Sequence, residues 1–293
     1  MKSLYAMMLM VAGILMVGLA GCSGGGSGES DEGLYVYAEG CFRPPVEELA
    51  KAYQEETGTK VDVDYSGCGE LLAKIETTQM GDIFVSHTPY MSALKKRGFL
   101  DKGRTLSAIE PVILVQKGNP MDINGLEDLV NSDARVILPS VEHSTTGNIV
   151  KRMLQKADLQ EEMEDNIVNR TPEGSGSANA VQMGTADAAI VWNIFETMRS
   201  EKTEAVPIEE KYRMKKETDV ITTATFGKVE MDYMRVTVAS LTVSEQQEKA
   251  REFSRFMASE ENWDVWKKHG YLPPQPNRPH PMVTDETRLA LAE

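Results

Sequence analysis

Positive charge is what this chain is short of. Lys and Arg number 31 against 45 Asp and Glu, a formal net charge of −14. That balance disfavours nucleic acid and anionic lipid headgroups as partners, since both would have to approach a repulsive field. Small ligands stay open, because a pocket's potential is set by its own walls. Cysteine is scarce, three in 293 residues, at positions 22, 41 and 68. The one long apolar run, Leu4 to Val17, is too short and too closely followed by Gly and Ser to make a comfortable spanning helix. No internal repeat is present. No Cys or His spacing matches a recognised metal motif, no nucleophile motif surrounds Cys41, and nothing orients His143 as its base, so no enzyme is expected.

What the N-terminus does contain is an export signal. Lys2 precedes the apolar run, and Leu19-Ala20-Gly21-Cys22 closes it. The tetrapeptide resembles the lipobox of bacterial lipoproteins, which implies cleavage before Cys22 and a lipid on its thiol. Residues 1–21 are then a signal peptide, and residues 22–33 a lipidated Cys with a flexible Gly/Ser tether. The expected place is the bacterial membrane, anchored through Cys22 and facing the periplasm or outside. Loss of Lys2 with the leader takes the charge from −14 to −15.

Two turns built alike open the body: Ala38-Glu39-Gly40-Cys41-Phe42 and Tyr65-Ser66-Gly67-Cys68-Gly69-Glu70. Strand-like runs (Leu34–Ala38; Val61, Val63, Tyr65) lead into them, and helical spacing follows (Val46, Leu49, Ala50, Tyr53; Leu71, Leu72, Ile75). Pro44 and Pro45 suit a first helical turn, where a missing N–H costs nothing. Each cysteine thus stands at a helix N-terminus, which favours an anion and is expected to lower a thiol's pKa. A third strand is predicted over Gly81–Ser86, then a helix with Tyr90, Met91 and Leu94 that ends at Gly98. Strand–helix alternation at this density argues for a parallel α/β sheet with ligands at the C-terminal strand ends.

Pro111–Gln116 reads as a strand, and the break at Lys117-Gly118-Asn119-Pro120 as the crossing into a second lobe. That lobe holds the loop His143-Ser144-Thr145-Thr146-Gly147, a small-residue turn at Gly174–Ser177 that opens a helix, and a strand Ala188–Trp192. Residues 200–220 are expected to be irregular, Tyr233–Ala239 to return to the first lobe, and Ser244 with Gln247 to form a capping box. The expected division is 34–115 and 222–280 for lobe one, 116–221 for lobe two, and 281–293 as a C-terminal tail.

Several stretches share an order and spacing. They are Val36-Tyr37-Ala38-Glu39-Gly40-Cys41, Glu55-Glu56-Thr57-Gly58, Ser66-Gly67-Cys68-Gly69, Gly81-Asp82-Ile83-Phe84, Lys117-Gly118-Asn119-Pro120, Thr146-Gly147, Ala186–Val191 and Gly270–Pro274. From about Leu34 to Pro274 the chain resembles the periplasmic molybdate-binding proteins of ABC transporters, in the type II solute-binding class. The resemblance implies an α/β, two-lobed periplasmic binding protein type II fold, each lobe a mixed sheet flanked by helices, with the ligand cleft between lobes. It also implies a component without enzymatic activity or cofactor, which presents its ligand to an ABC permease subunit. In that family two turn serines, backbone amides and an aromatic hydroxyl hold the oxyanion. The serine positions fall here on Cys41 and Cys68, the amides near Thr146 and Gly174, and the tyrosine position on Trp192.

Sulfur in place of oxygen leaves three readings open. Cys41 and Cys68 form a disulfide, which an exported compartment permits. Alternatively they bind a soft ion, arsenite-like or a transition metal, with His87 and His143 completing a Cys/His set, and the protein serves sensing or delivery. Or a molybdate- or tungstate-like oxyanion is retained on the amide-rich helix starts, with the thiols tuning size.

Overall fold

Apolar residues at positions 34, 36 and 38 commit the start of the body to a strand, β1 (Leu34–Glu39), with those three side chains fully buried. The computed structural model describes residues 33–215, 218–223, 227–231 and 234–274. The leader, Cys22, most of the tether, Tyr233 and the C-terminal tail lie outside the described residues. Among the described residues no helix is long and apolar enough to cross a membrane.

A short 3-10 turn (Gly40–Phe42) follows β1 and leads into α1 (Arg43–Thr57). Then come β2 (Val61–Ser66), α2 (Cys68–Thr78), β3 (Ile83–His87), α3 (Tyr90–Arg97) and β4 (Leu100–Ile109). The middle of the chain supplies β5 (Pro111–Gln116), α4 (Leu126–Asn131), β6 (Val136–Pro139), α5 (Thr145–Ala157) and α6 (Gln160–Asn166). It continues through β7 (Ile167–Thr171), α7 (Gly174–Gln182), β8 (Ala188–Trp192), α8 (Ile194–Thr197) and β9 (Thr203–Pro207). A hairpin of β10 (Val220–Thr223) and β11 (Gly227–Glu230) precedes β12 (Met234–Leu241), α9 (Gln247–Met257) and α10 (Trp263–Lys268).

Two five-stranded sheets result, in the orders β2-β1-β3-β12-β4 and β7-β6-β8-β5-β9. Each has three parallel strands, joined by an antiparallel strand that also pairs with the edge strand beyond it: β12 in the first sheet, β5 in the second. This is the two-lobed mixed α/β architecture expected from the resemblance. Alternation places Val36 and Ala38 with Val46, Leu49 and Phe253 on one face of the first sheet, and Tyr37 with Leu71, Ile75 and Phe84 on the other. Each Val, Leu, Ile or Phe side chain among these removed from water contributes roughly 1.5–3 kcal/mol.

The lobe boundaries differ from the expected ones. β5 pairs with β8 and β9, so it belongs to the second lobe, and the crossing falls at Glu110. Val112 to Val115 are all buried, as a central strand of that sheet requires, and the break at Lys117–Pro120 is a turn inside lobe two. At the crossing, Asn193 donates its backbone N–H to the Glu110 carbonyl (2.9 Å), and its side-chain oxygen accepts from Glu110 N (2.9 Å). The Asn193 amide also donates to the Gly270 carbonyl at 2.7 Å. The β10–β11 hairpin stays with lobe two beyond position 222. The loop leading into it is tied to α5 through Asp219, which is fully buried and pairs with Arg152 (2.9 Å) and Lys156 (2.8 Å).

The sequence pattern does not announce β4, β7, β9, β10 or β11. After Leu100, β4 runs through Asp101, Lys102, Gly103 and Arg104 without alternation, and β9 lies in the charged stretch expected to be irregular. The capping box does not form. Ser244 donates to Asp82 and accepts from Gln246 N, and no side chain caps α9.

Candidate functional site

Parallel strands in both sheets end at one cleft, as the topology of such sheets leads one to expect. Glu39, Ser66 and His87 end β1, β2 and β3; Pro139, Thr171 and Trp192 end β6, β7 and β8. Between these edges lies a cavity of about 720 Å³. Lobe one lines it with both cysteine turns and His87, and lobe two with the segments around His143–Thr146, Glu173–Ser175 and Trp192.

The floor is a cluster of four side chains. Glu39 Oε2 lies 3.1 Å from His87 Nε2 and accepts the Cys68 thiol at 3.2 Å. The Cys41 thiol is near enough to this carboxylate for the two to act on each other electrostatically. Ligating atoms of Glu39, Cys68 and His87 all lie within 4.8 Å of one another, close enough to share one metal ion. His87 is fixed by its other ring nitrogen, Nδ1, which donates to the Thr88 carbonyl at 2.7 Å, and its ring meets Phe42 and Tyr90 edge-on. A ring anchored through Nδ1 presents Nε2 to the cavity, the arrangement that orients a metal-binding imidazole. Tyr271 holds the first turn in place from behind by donating its hydroxyl to the Cys41 carbonyl at 3.0 Å.

Charge in this cluster is set by pairing against burial. Burial resists a charge on Glu39, but His87 and the thiol donors outweigh it and hold the carboxyl below its ordinary range. Burial likewise opposes a charged His87, and Glu39 with the Thr88 bond lifts it above the usual imidazole value. Both thiols are free, and both are pushed well up, first by burial and then by Glu39. This reverses the expected effect of the helix N-termini: burial, with a carboxylate alongside, outweighs a diffuse helix-end potential. All four shifts point the same way, toward an ion pair beside two protonated thiols.

The other expected site residues are distributed around it. Thr146 and Gly174 sit at the starts of α5 and α7 and face the cavity from lobe two, and Trp192 forms part of the same wall. His143 stands on the exposed lip, its nearest charged group Glu142 at 3.8 Å, apart from the Glu39 cluster. Two residues that matter here were not singled out from the sequence, Glu39 and Tyr271. Glu39 stands inside the first cysteine turn, two residues before Cys41, and that proximity is its only signal in the sequence. The cavity's arginines are engaged elsewhere: Arg43 over the Tyr65 ring (4.2 Å), and Arg199 with the Asn179 side chain and the Phe195 carbonyl.

Residues 34–272 match the family described as bacterial extracellular solute-binding protein. The chain belongs to that family. A Haemophilus influenzae protein described as a binding protein is 27% identical over 175 residues, 59% of this chain and 71% of that one. The substrate-binding domain attributed to a molybdenum ABC transporter of Clostridium difficile has a similar structure, with TM-score 0.64 and 20% identity, covering 83% of this chain and 99% of its own. Iron-bound HitA from Pseudomonas aeruginosa is similar too, with TM-score 0.62 and 19% identity over 86% of this chain and 90% of its own. At such identities the likeness establishes a shared fold. One fold thus serves proteins named for an oxyanion-forming metal and for iron, and the ligand has to be argued from the walls of this cleft.

Proposed function

We propose that this protein is the solute-binding component of an ABC-type importer, and that its solute is a thiophilic metal cation seated on the cleft floor by Cys68, His87 and Glu39, with Cys41 beside them. The observation that carries the reading is the convergence of sulfur, imidazole and carboxylate within 4.8 Å at the end of a cleft between two lobes. This donor set suits zinc and its borderline or soft neighbours, for which thiolate and imidazole are preferred ligands. A molybdate-like anion placed on the same floor would meet the half-buried Glu39 carboxylate, whose ionised form is favoured, with no cavity arginine turned toward it among the described residues. An anion remains the second reading because α5 and α7 begin at the cavity with no side chain capping them.

The test is native mass spectrometry with thermal shift on reduced protein, comparing Zn²⁺, Cd²⁺, arsenite, molybdate and tungstate. One Zn²⁺ or Cd²⁺ per chain, lost in Cys68→Ser, is the expected result. Tight molybdate binding that survives Cys41→Ser with Cys68→Ser, with no cation retained, would replace this reading by the anion one.

A further inference from the structure

Lobe two contributes a carboxylate of its own at this cleft. Glu173 directly precedes α7, and its Oε1 occupies the place where a side chain at Gly67 would begin: a Cβ there would lie 2.9 Å away. Gly67 has φ −69° and ψ 142°, extended backbone open to any residue, so conformation does not call for glycine at this position. What the missing side chain leaves is room for Glu173. The lobes therefore meet across the cleft immediately before Cys68.

The company Glu173 keeps there is of its own sign. Among the described residues no cation pairs with it, while Glu39 and Glu70 of lobe one act on it electrostatically, as it does on the Cys41 thiol. Like charges brought together from two lobes push those lobes apart, and a divalent cation between them reverses the sign of the interaction. We infer that Glu173 is the positioning residue through which lobe two senses the captured cation, opposing closure when the floor is empty and favouring it when the floor is filled. This rests on the cation reading above. It explains why a solvent-reached carboxylate stands over a glycine, and it supplies the differential interaction that ligand-driven closure requires.

Two substitutions separate the role from mere structure. Glu173→Gln keeps the shape and removes the charge. Gly67→Ala leaves every ligating group in place and meets only the flexible end of the Glu173 side chain. The experiment follows the full reduced chain by small-angle scattering with and without Zn²⁺, alongside Zn²⁺ affinity by chelator competition. The wild-type chain is expected to contract on binding. Glu173→Gln should start more contracted, change less on adding Zn²⁺, and bind about 10- to 100-fold more weakly, the usual cost of losing a group that supports a metal site. Gly67→Ala should move in the same direction by less, at unchanged melting temperature. If Glu173→Gln binds Zn²⁺ as tightly as wild type and contracts as far, the assignment of Glu173 falls while the cation reading stands. If the wild-type chain retains no Zn²⁺, both fall together.

Discussion

Raising the pH should tighten cation capture steeply, and the slope counts the protons that the floor gives up. In the empty site burial works against the charge on His87, yet Glu39 at 3.1 Å from Nε2 keeps that nitrogen protonated above the ordinary imidazole range. Both thiols keep their protons as well, because burial and Glu39 push them up. Ligation needs a bare Nε2 and a thiolate. Counting only His87 and Cys68, about two protons leave per ion, so affinity gains about 100-fold per pH unit. With Cys41 as a third ligand the gain is about 1000-fold per unit. The empty protein moves the other way. The raised value of His87 stabilises the fold fully below its unfolded value near 6.5 and is lost as pH rises through the folded one. The lowered value of Glu39 stabilises above its unfolded value near 4.5 and is lost as pH falls through the folded one. The ion pair therefore supports the empty chain best between those two values, where capture is poor. Chelator competition at a series of pH values gives the slope, and calorimetry in buffers of different ionisation heat counts the protons. An affinity that is flat across neutral pH, with no protons released, would refute the assignment of sulfur and imidazole as ligands.

Three further outcomes follow from the fold. Gly147→Ala should destabilise by about 1–3 kcal/mol in urea unfolding, because its Cβ would lie 2.3 Å from the Ser140 carbonyl and 2.6 Å from that of Pro139, backbone groups that cannot step aside. Asn193→Ala should cost about 1–3 kcal/mol and alter the zinc-dependent scattering change, since it strips the side-chain bonds to Glu110 N and the Gly270 carbonyl at the crossing. Asp219→Asn should cost about 3 kcal/mol by leaving Arg152 and Lys156 around a neutral buried group. The depressed value of Asp219, where its cation partners overcome burial, adds that this group's contribution to stability is complete above 3.8 and is lost as pH falls through the folded value, a loss the variant should not show.

The strands and helices that carry the cysteine turns were readable because apolar period and turn chemistry agree there: Pro44 and Pro45 after one turn, Gly67 and Gly69 around the other. β4 was not, because its pattern is written by its neighbours. Residues 101–104 show no alternation; Lys102, Gly103 and Arg104 pair with β12, which arrives from far along the chain, and the register shifts at Asp101. The same distance explains the misplaced boundary, since β5 looks alike in either lobe until β8 and β9 claim it. At the site, the residue types drew attention to Cys41, Cys68 and His87, but their charge states depended on Glu39, whose part follows from the strand order that sets β1 beside β3. His143 lines the same cavity from lobe two, apart from the Glu39 cluster.

Glu110 alone separates β4 from β5, and that joint has no slack. Ile109 is paired with Met234 on one side of it, and Pro111 with Trp192 on the other. Adding or deleting one residue there must slide one strand along its ladder, which turns each of its side chains to the opposite face. Chain length at 109–111 should accordingly be invariant among proteins that keep this architecture, whereas insertions can collect in surface turns such as Lys117–Pro120. The place in the molecule least tolerant of a change in length is thus a connection one residue long.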